Sequence, residues 1–278
     1  MNQREKAELL LRLQQPGSSL LLPNAWDAAS ARLFEETGFP AIGTTSAGIA
    51  YAHGYPDGEQ IPREEMLQAI ARIVSRVQIP VTADIEAGYG ETAADVAETI
   101  RGVIAAGAIG VNLEDGTGDP ARPLSPVEVL AERIAAAREA ANRMDIPLVI
   151  NARTDTYLAQ VGEGQARLEE TVRRGRAYLQ AGADSIFVPY VIDPAIIQIL
   201  VRDIPGPISL LAIPGGPSAP ELFRLGVVRI SIGSRAMLAT MSLVRKIAEE
   251  LRDHGTYEAM SHGVYRWAEA QTWFASQA

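Results

Sequence analysis

The 278-residue chain has no cysteine and only three histidines. The first absence excludes disulfides, thiolate metal sites and a cysteine nucleophile. There is no block of like charge either: 25 Lys+Arg stand against 34 Asp+Glu, a net charge of -9. Nucleic acids and anionic membranes need a clustered basic face, so neither is expected as a partner. No apolar run approaches the roughly 20 residues that span a bilayer. Residues 1–13 mix Arg4, Glu5, Lys6 and Glu8 ahead of the apolar stretch, unlike an export signal. A soluble cytoplasmic protein is the expectation. With 47% hydrophobic residues the chain is also too apolar to be mainly disordered.

Short apolar runs alternate with longer amphipathic ones. Candidate strands are 20–25, 41–46, 81–86, 110–115, 148–154, 185–190, 208–213 and 227–233. Few charges interrupt them, as expected of parallel strands covered on both faces. Helical periods fill the gaps. Residues 92–106 place Val96, Ile100, Val103 and Ile104 on one stripe. Residues 125–143 open Ser-Pro-Val-Glu, which predicts a Ser125 N-cap with Pro126 at the first helical position. A glycine precedes every second strand, at Gly38, Gly107, Gly182 and Gly226, and predicts a left-handed helix stop. Eight strand–helix units in this length predict an α/β fold, a (β/α)8 barrel. An open doubly wound sheet is the rival, but it carries a Gly-rich turn after its first strand. Here Trp26-Asp27-Ala28-Ala29 follows instead.

Two segments fall outside the repeat. Residues 1–15 read as an added N-terminal helix. Residues 256–278 read as a C-terminal helical extension of the single 1–278 barrel domain, with Tyr257, Tyr265, Trp267, Trp273 and Phe274. Five aromatics need burial, and a finished barrel has little core to offer. The extension is expected at a subunit interface of a homo-oligomer.

Barrel chemistry sits at the C-terminal ends of strands. There the third candidate strand carries Asp84 and Glu86, the fourth Glu114 and Asp115, the fifth Arg153 and Asp155. Converging carboxylates need a cation to stay ionised in a partly dry site. Oxygen ligands without Cys or a nearby His point to Mg²⁺, with Mn²⁺ as the alternative. Asp84 and Glu86 share a strand face. Arg153 suits a planar carboxylate. The competing reading makes these acids helix caps or partners of a barrel arginine. The small, hydroxyl-rich exit Gly43-Thr44-Thr45-Ser46-Ala47-Gly48 can present N–H groups to an anion. Residues 51–59, with His53 and Asp57, read as a lid. Residues 213–217 read as a phosphate loop or a plain turn.

Taken in order, these residues resemble the isocitrate lyase/phosphoenolpyruvate mutase superfamily. Pro23-Asn24-Ala25-Trp26-Asp27-Ala28-Ala29-Ser30-Ala31-Arg32 is similar to its first strand exit. Asp84-Ile85-Glu86-Ala87-Gly88-Tyr89-Gly90 is similar to its Asp-x-Asp-x-Gly-x-Gly metal motif, with Glu in the second acidic place. Leu113-Glu114-Asp115 and Ala152-Arg153-Thr154-Asp155 complete the set. The resemblance implies a Mg²⁺-dependent barrel that handles 2-oxo or 2-hydroxy acids through an enolate. It implies Asp84 as the nearest metal ligand, with Glu86, Glu114 and Asp57 on the metal's waters. Thr45, Ser46 and Ala47 would bind the substrate carboxylate, with Arg153 opposite. A tetramer exchanging C-terminal helices between subunits is implied too.

The departures narrow the activity. The lyases' Lys/Arg-Cys-Gly-His motif is replaced by Gly116-Thr117-Gly118-Asp119-Pro120-Ala121-Arg122-Pro123, and Val188-Pro189-Tyr190 stands where they carry a Glu. The Lys and Asn of phosphonopyruvate-type members are missing as well. The expectation is a lyase cleaving a C–C bond of a small 2-oxo or 2-hydroxy (di)carboxylic acid such as oxaloacetate, an alkylmalate or methylisocitrate. His53, Asp57 or a metal-bound water would move the proton, assisted by Tyr89 or Arg122. A P–C bond enzyme and a non-catalytic 2-oxo acid binding protein are the alternatives.

Overall fold

Pro23 has no N–H to give a neighbouring strand. The first predicted strand is accordingly two: β1 (Leu20–Leu22) and β2 (Asn24–Ala25). β3 (Ile42–Thr44), β4 (Val81–Asp84), β5 (Gly110–Glu114), β6 (Val149–Arg153), β7 (Ser185–Val188), β8 (Ile208–Leu211) and β9 (Arg229–Ser231) follow. The computed structural model describes residues 1–261 and 263–275; residues 262 and 276–278 of the expected extension lie outside them. All strand pairs are parallel, in the order β1-β9-β8-β7-β6-β5-β4-β3-β2. β1 and β2 are halves of one stave, so the nine segments close an eight-stave (β/α)8 barrel, as expected.

The chain divides into two compact units, 1–233 and 234–278. The first holds α1 (Gln3–Leu13), α2 (Ala28–Glu36), α3 (Ser46–Ala52), α4 (Arg63–Val74), α5 (Ala93–Ala105), α6 (Val127–Arg143), α7 (Gly164–Gln180), α8 (Pro194–Asp203) and α9 (Ala219–Arg224). The stripe Val96, Ile100, Val103 and Ile104 is buried, and Thr92 and Asp95 cap α5 reciprocally. Gly38, Gly107, Gly182 and Gly226 have φ of +91°, +92°, +112° and +97°, the left-handed stops expected of them. Ser125 does not cap α6. Pro126 takes the cap position, and the Ser125 backbone binds Asp115 and Arg174 instead. Leu10 of α1 packs with Leu20, Leu22, Ile109 and Val149 and closes the N-terminal end of the barrel.

The second unit holds α10 (Arg235–His254), a 3-10 turn at Glu258–Met260 and α11 (Trp267–Ala275). Tyr265 meets Trp273 edge-on at 4.5 Å. Leu238, Val244, Leu251, Tyr257 and Trp267 are exposed. Among the described residues no helix is long and apolar enough to cross a membrane.

Candidate active site

Most strands end one or two residues earlier than the apolar runs predict. Glu86 (φ +52°) and Tyr190 (φ +65°) leave the extended region, so they stand in loops beyond β4 and β7. Asp84 is the last residue of β4. Its N–H donates to Thr44 Oγ1 at 2.8 Å. Its carboxylate accepts from the Ser46 N–H (3.2 Å), the Ser46 hydroxyl (3.1 Å) and Asn112 Nδ2 (3.4 Å).

The expected anion loop is a helix start. Thr45 caps α3, its hydroxyl accepting from the Gly48 N–H at 3.3 Å, and Ala47 is buried inside α3. Thr45, Ser46 and Ala47 do reach Asp84's neighbourhood. The donors of Ser46, however, are aimed at Asp84 and form no open cradle. α3 also claims Tyr51 and Ala52, so the expected lid shortens to the loop after His53.

Glu59, which nothing in the sequence singles out beyond its place in that loop, ties the loop to the β4 exit. Its N–H donates to Glu86 Oε2 and its Oε1 accepts from the Tyr89 N–H, both at 2.8 Å. Glu59, Glu86 and Tyr89 all have positive φ, at +55°, +52° and +58°. Such geometry costs about 1–2 kcal/mol per residue, and the reciprocal bonds hold it. Burial first, then the charges of Asp84 and Asp57, push Glu86 up to about 8. Tyr89, whose hydroxyl lies 3.4 Å from Glu86 Oε1, is raised too, by burial and then by Glu86. Desolvation and the charge of Asp84 raise Asp57 at the rim.

Arg153 closes the far wall. Its bidentate grip falls on Asp155, Nε to Oδ1 at 2.6 Å and Nη2 to Oδ2 at 2.9 Å, while Nη1 pairs with Glu114 at 2.6 Å. Asp155 thus holds the two-pronged face expected for a substrate carboxylate, and the Glu114 contact is an ion pair. Glu114 and Asp155 are both partners of this barrel arginine. Burial still raises Glu114 well above the carboxylate range against the pull of Arg153.

Behind the mouth runs a buried polar chain. Arg229 donates to Gln14 Oε1 (3.2 Å) and to Asn112 Oδ1 (3.1 Å), which also accepts from Asn151 Nδ2 (2.8 Å). Two donors on that oxygen turn the Asn112 amide nitrogen toward Asp84. Arg229 makes no ion pair among the described residues. Complete burial lowers its pKa to about 10, opposed by the charge of Asp84. Asn112 lies inside β5 and Arg229 opens β9, so neither stands at the strand exits where motif reading looks.

The mouth encloses a 250 Å³ cavity lined by Asp57, Glu59, Glu86, Glu114, Arg153 and Asp155. His53 lies elsewhere, exposed, its Nδ1 2.9 Å from the Ile49 carbonyl, on a separate 290 Å³ cavity with Trp26 and Glu65. Residues 213–216 form a turn closed by the Gly216 N–H on the Ile213 carbonyl. Arg122 is exposed and pairs with Asp119 at 3.5 Å. Among the described residues no three His, Asp or Glu side chains are grouped to hold one ion directly. The donor set is all hard oxygen, short of positive charge, and suits an ion that keeps part of its water shell.

The phosphoenolpyruvate phosphomutase family profile matches residues 10–252. An uncharacterised protein of Mycobacterium tuberculosis strain H37Rv is 36% identical over 223 residues, 80% of each chain. A solved phosphonopyruvate hydrolase, in complex with oxalate and Mg²⁺, superposes with a TM-score of 0.85 at 28% identity, covering 100% of this chain and 96% of its own. A 2,3-dimethylmalate lyase superposes with a TM-score of 0.82 at 28% identity, covering 97% and 93%. With the barrel, the ordered mouth motifs and these matches in agreement, this chain belongs to the phosphoenolpyruvate phosphomutase family, within the isocitrate lyase/phosphoenolpyruvate mutase superfamily that its motifs resemble.

Proposed function

We propose that the chain is a Mg²⁺-dependent lyase cleaving a C–C bond of a small 2-oxo or 2-hydroxy acid. The observation that carries this is the cavity with five carboxylates around one guanidinium, in which Glu86 is pushed up to about 8. Such a site calls for a compact divalent cation and a ligand that shares it. Asp84 would hold the ion, with Glu86 and Glu114 reaching it through water. Mn²⁺ meets the same hard-oxygen requirement.

A bound ion supplies Lewis-acid stabilisation of charge on the substrate's 2-oxygen. Ser46 and Asn112 hold Asp84 in one orientation. Arg153, fixed by Glu114 and Asp155, turns its remaining N–H groups to the substrate carboxylate. Asp57 at the rim, with its raised pKa, takes up or returns the proton as the enolate forms or collapses. Closure of the loop tethered by Glu59 excludes water. A phosphonate would bring more negative charge into the same acidic cavity, so P–C chemistry is the weaker reading. The exposed apolar residues of the second unit support a homo-oligomer, dimer or tetramer, with 256–278 at its interface.

Thermal unfolding with oxalate, a planar mimic of the enolate, tests the site. Oxalate is expected to raise Tm only when Mg²⁺ is present, by RT ln(1 + [L]/Kd) in free energy, about 2.7 kcal/mol at a hundredfold excess over Kd. Asp84→Ala is expected to abolish the shift. A shift independent of Mg²⁺, or one surviving in Asp84→Ala, would overturn the assignment. Binding without product from any 2-oxo or 2-hydroxy acid would mark a binding protein instead.

A further inference from the structure

Two arginines of α6 reach opposite ends of the barrel. Arg138 lies toward the C-terminal end of the helix. It donates to the carbonyls of Leu148 (2.7 Å) and Gly182 (2.9 Å) and to Asp184 Oδ2 (2.5 Å), all ahead of β6 and β7. Arg133 lies a turn earlier and serves the end that carries the acidic mouth. Its Nη1 donates to the Ala87 carbonyl at 3.0 Å, and its Nη2 to the carbonyls of Gly90 (3.1 Å) and Glu91 (3.2 Å). All three oxygens belong to the loop between Glu86 and the Thr92 cap of α5.

That loop is hard to hold in place. Glu86, Gly88 and Tyr89 have φ of +52°, +106° and +58°. Of the three, only the glycine takes a left-handed conformation without cost. Among the described residues no backbone N–H reaches the Ala87, Gly90 or Glu91 carbonyls. Arg133 supplies the missing donors. It makes no ion pair among the described residues and does not line the mouth cavity. A planar guanidinium can bridge several spaced acceptors, which an ammonium cannot. The loop in turn carries Tyr89, whose hydroxyl lies 3.4 Å from Glu86 Oε1 and whose N–H donates to Glu59 Oε1. Glu59 thus ties the loop from the lid side, and Arg133 ties it from α6.

We infer that Arg133 is a positioning residue of the metal site. It acts through the 87–91 backbone to set Tyr89 and Glu86, and with them the Glu59 tether. The effect on loop geometry stands on the contacts alone; the effect on the metal rests on the Mg²⁺ reading above.

Amide hydrogen exchange of the metal-free full chain tests the first effect, and calorimetric Mg²⁺ titration tests the second. In Arg133→Met the Tyr89 and Glu59 amides are expected to exchange at least about tenfold faster, the worth of one lost bond to a charged group. Mg²⁺ affinity is expected to fall at least about tenfold, as for other residues that orient a metal's ligands. Arg138→Met is the control. It removes a similar set of contacts from the same helix at the far end of the barrel. It is expected to lower Tm and leave both readouts at wild-type values. Arg133→Lys, which keeps a charge but not the fork, serves if the Met variant does not fold, with smaller shifts in the same direction. Equal changes in the Arg133 and Arg138 variants, or wild-type exchange at Tyr89 and Glu59 in an Arg133 variant, would overturn the inference. Faster exchange with unchanged Mg²⁺ affinity would overturn it as well. A wild type that binds no Mg²⁺ would overturn the functional reading, and the exchange contrast would still decide whether Arg133 sets the loop.

Discussion

Glu114 and Asp115 are neighbours at the end of β5, and the strand pleat turns them to opposite sides. Asp115 is fully buried. Its Oδ2 accepts from Arg174 Nη1 (2.8 Å) and the Tyr178 hydroxyl (2.7 Å), and its Oδ1 from the Asp155 N–H (2.9 Å). Every demand of that carboxylate is met inside the fold. Glu114 shares one guanidinium with Asp155 and faces the charges of Asp84 and Glu86. Its neighbourhood is short of positive charge. A closed cluster of the first kind holds helix α7 to the barrel, while an open one of the second kind waits for a ligand. Both present a carboxylate; the balance of partners differs.

The comparison breaks most sharply on the closed side. Arg174→Met leaves Asp115 buried without its counter-charge and is expected to cost about 3–5 kcal/mol in urea denaturation. Full Mg²⁺ affinity in whatever fraction stays folded would complete the contrast. A small loss, under about 1 kcal/mol, would show that the two clusters are not different in kind.

On the open side the expected sign is opposite. Glu86 is raised from 4.5 to about 8 in the folded state. The folded chain therefore holds a proton that the unfolded chain has released, and the stability this gives is full below about pH 4.5 and lost as pH climbs through about 8. Glu86→Gln should then raise Tm at pH 8, by about 2–4 °C per kcal/mol relieved in a domain of this size, and leave it unchanged at pH 4. Saturating Mg²⁺ should give the wild type a similar gain at pH 8. Scanning calorimetry across that range checks both.

The smallest effect is expected at Arg229, a cation that belongs to neither cluster. Arg229→Met removes an unpaired buried charge, so unfolding free energy should change by less than about 1 kcal/mol. Mg²⁺ affinity should fall several-fold, because the Asn112 amide loses one of the two donors that orient it toward Asp84. Equal losses of stability and affinity would make Arg229 an ordinary core residue.

How far the sequence reads ahead depends on separation along the chain. The α5 stripe and the four glycine stops are legible because 3.6-residue periodicity and helix ends are local. Asp84, Glu86, Glu114 and Arg153 are legible because barrel chemistry collects at strand ends. Glu59 is not, since its bond to Glu86 spans 27 positions between two loops. Nor is the Gln14–Arg229 contact, which spans 215 positions and exists only because the barrel closes. The same holds for Arg153: spacing shows a guanidinium at the mouth, but only the packing of β5 against β6 shows Glu114 and Asp155 already on it.

By itself, then, the order of residues determined the eight staves, the acidic mouth and the exclusion of cysteine chemistry. Each follows from local periodicity or from the presence or absence of a side-chain type. Tertiary structure alone decided which carboxylates are paired inside the fold and which are left over, and that Thr45 caps the start of a helix. Those outcomes depend on how many partners reach a group once distant loops meet, and no local pattern encodes that number.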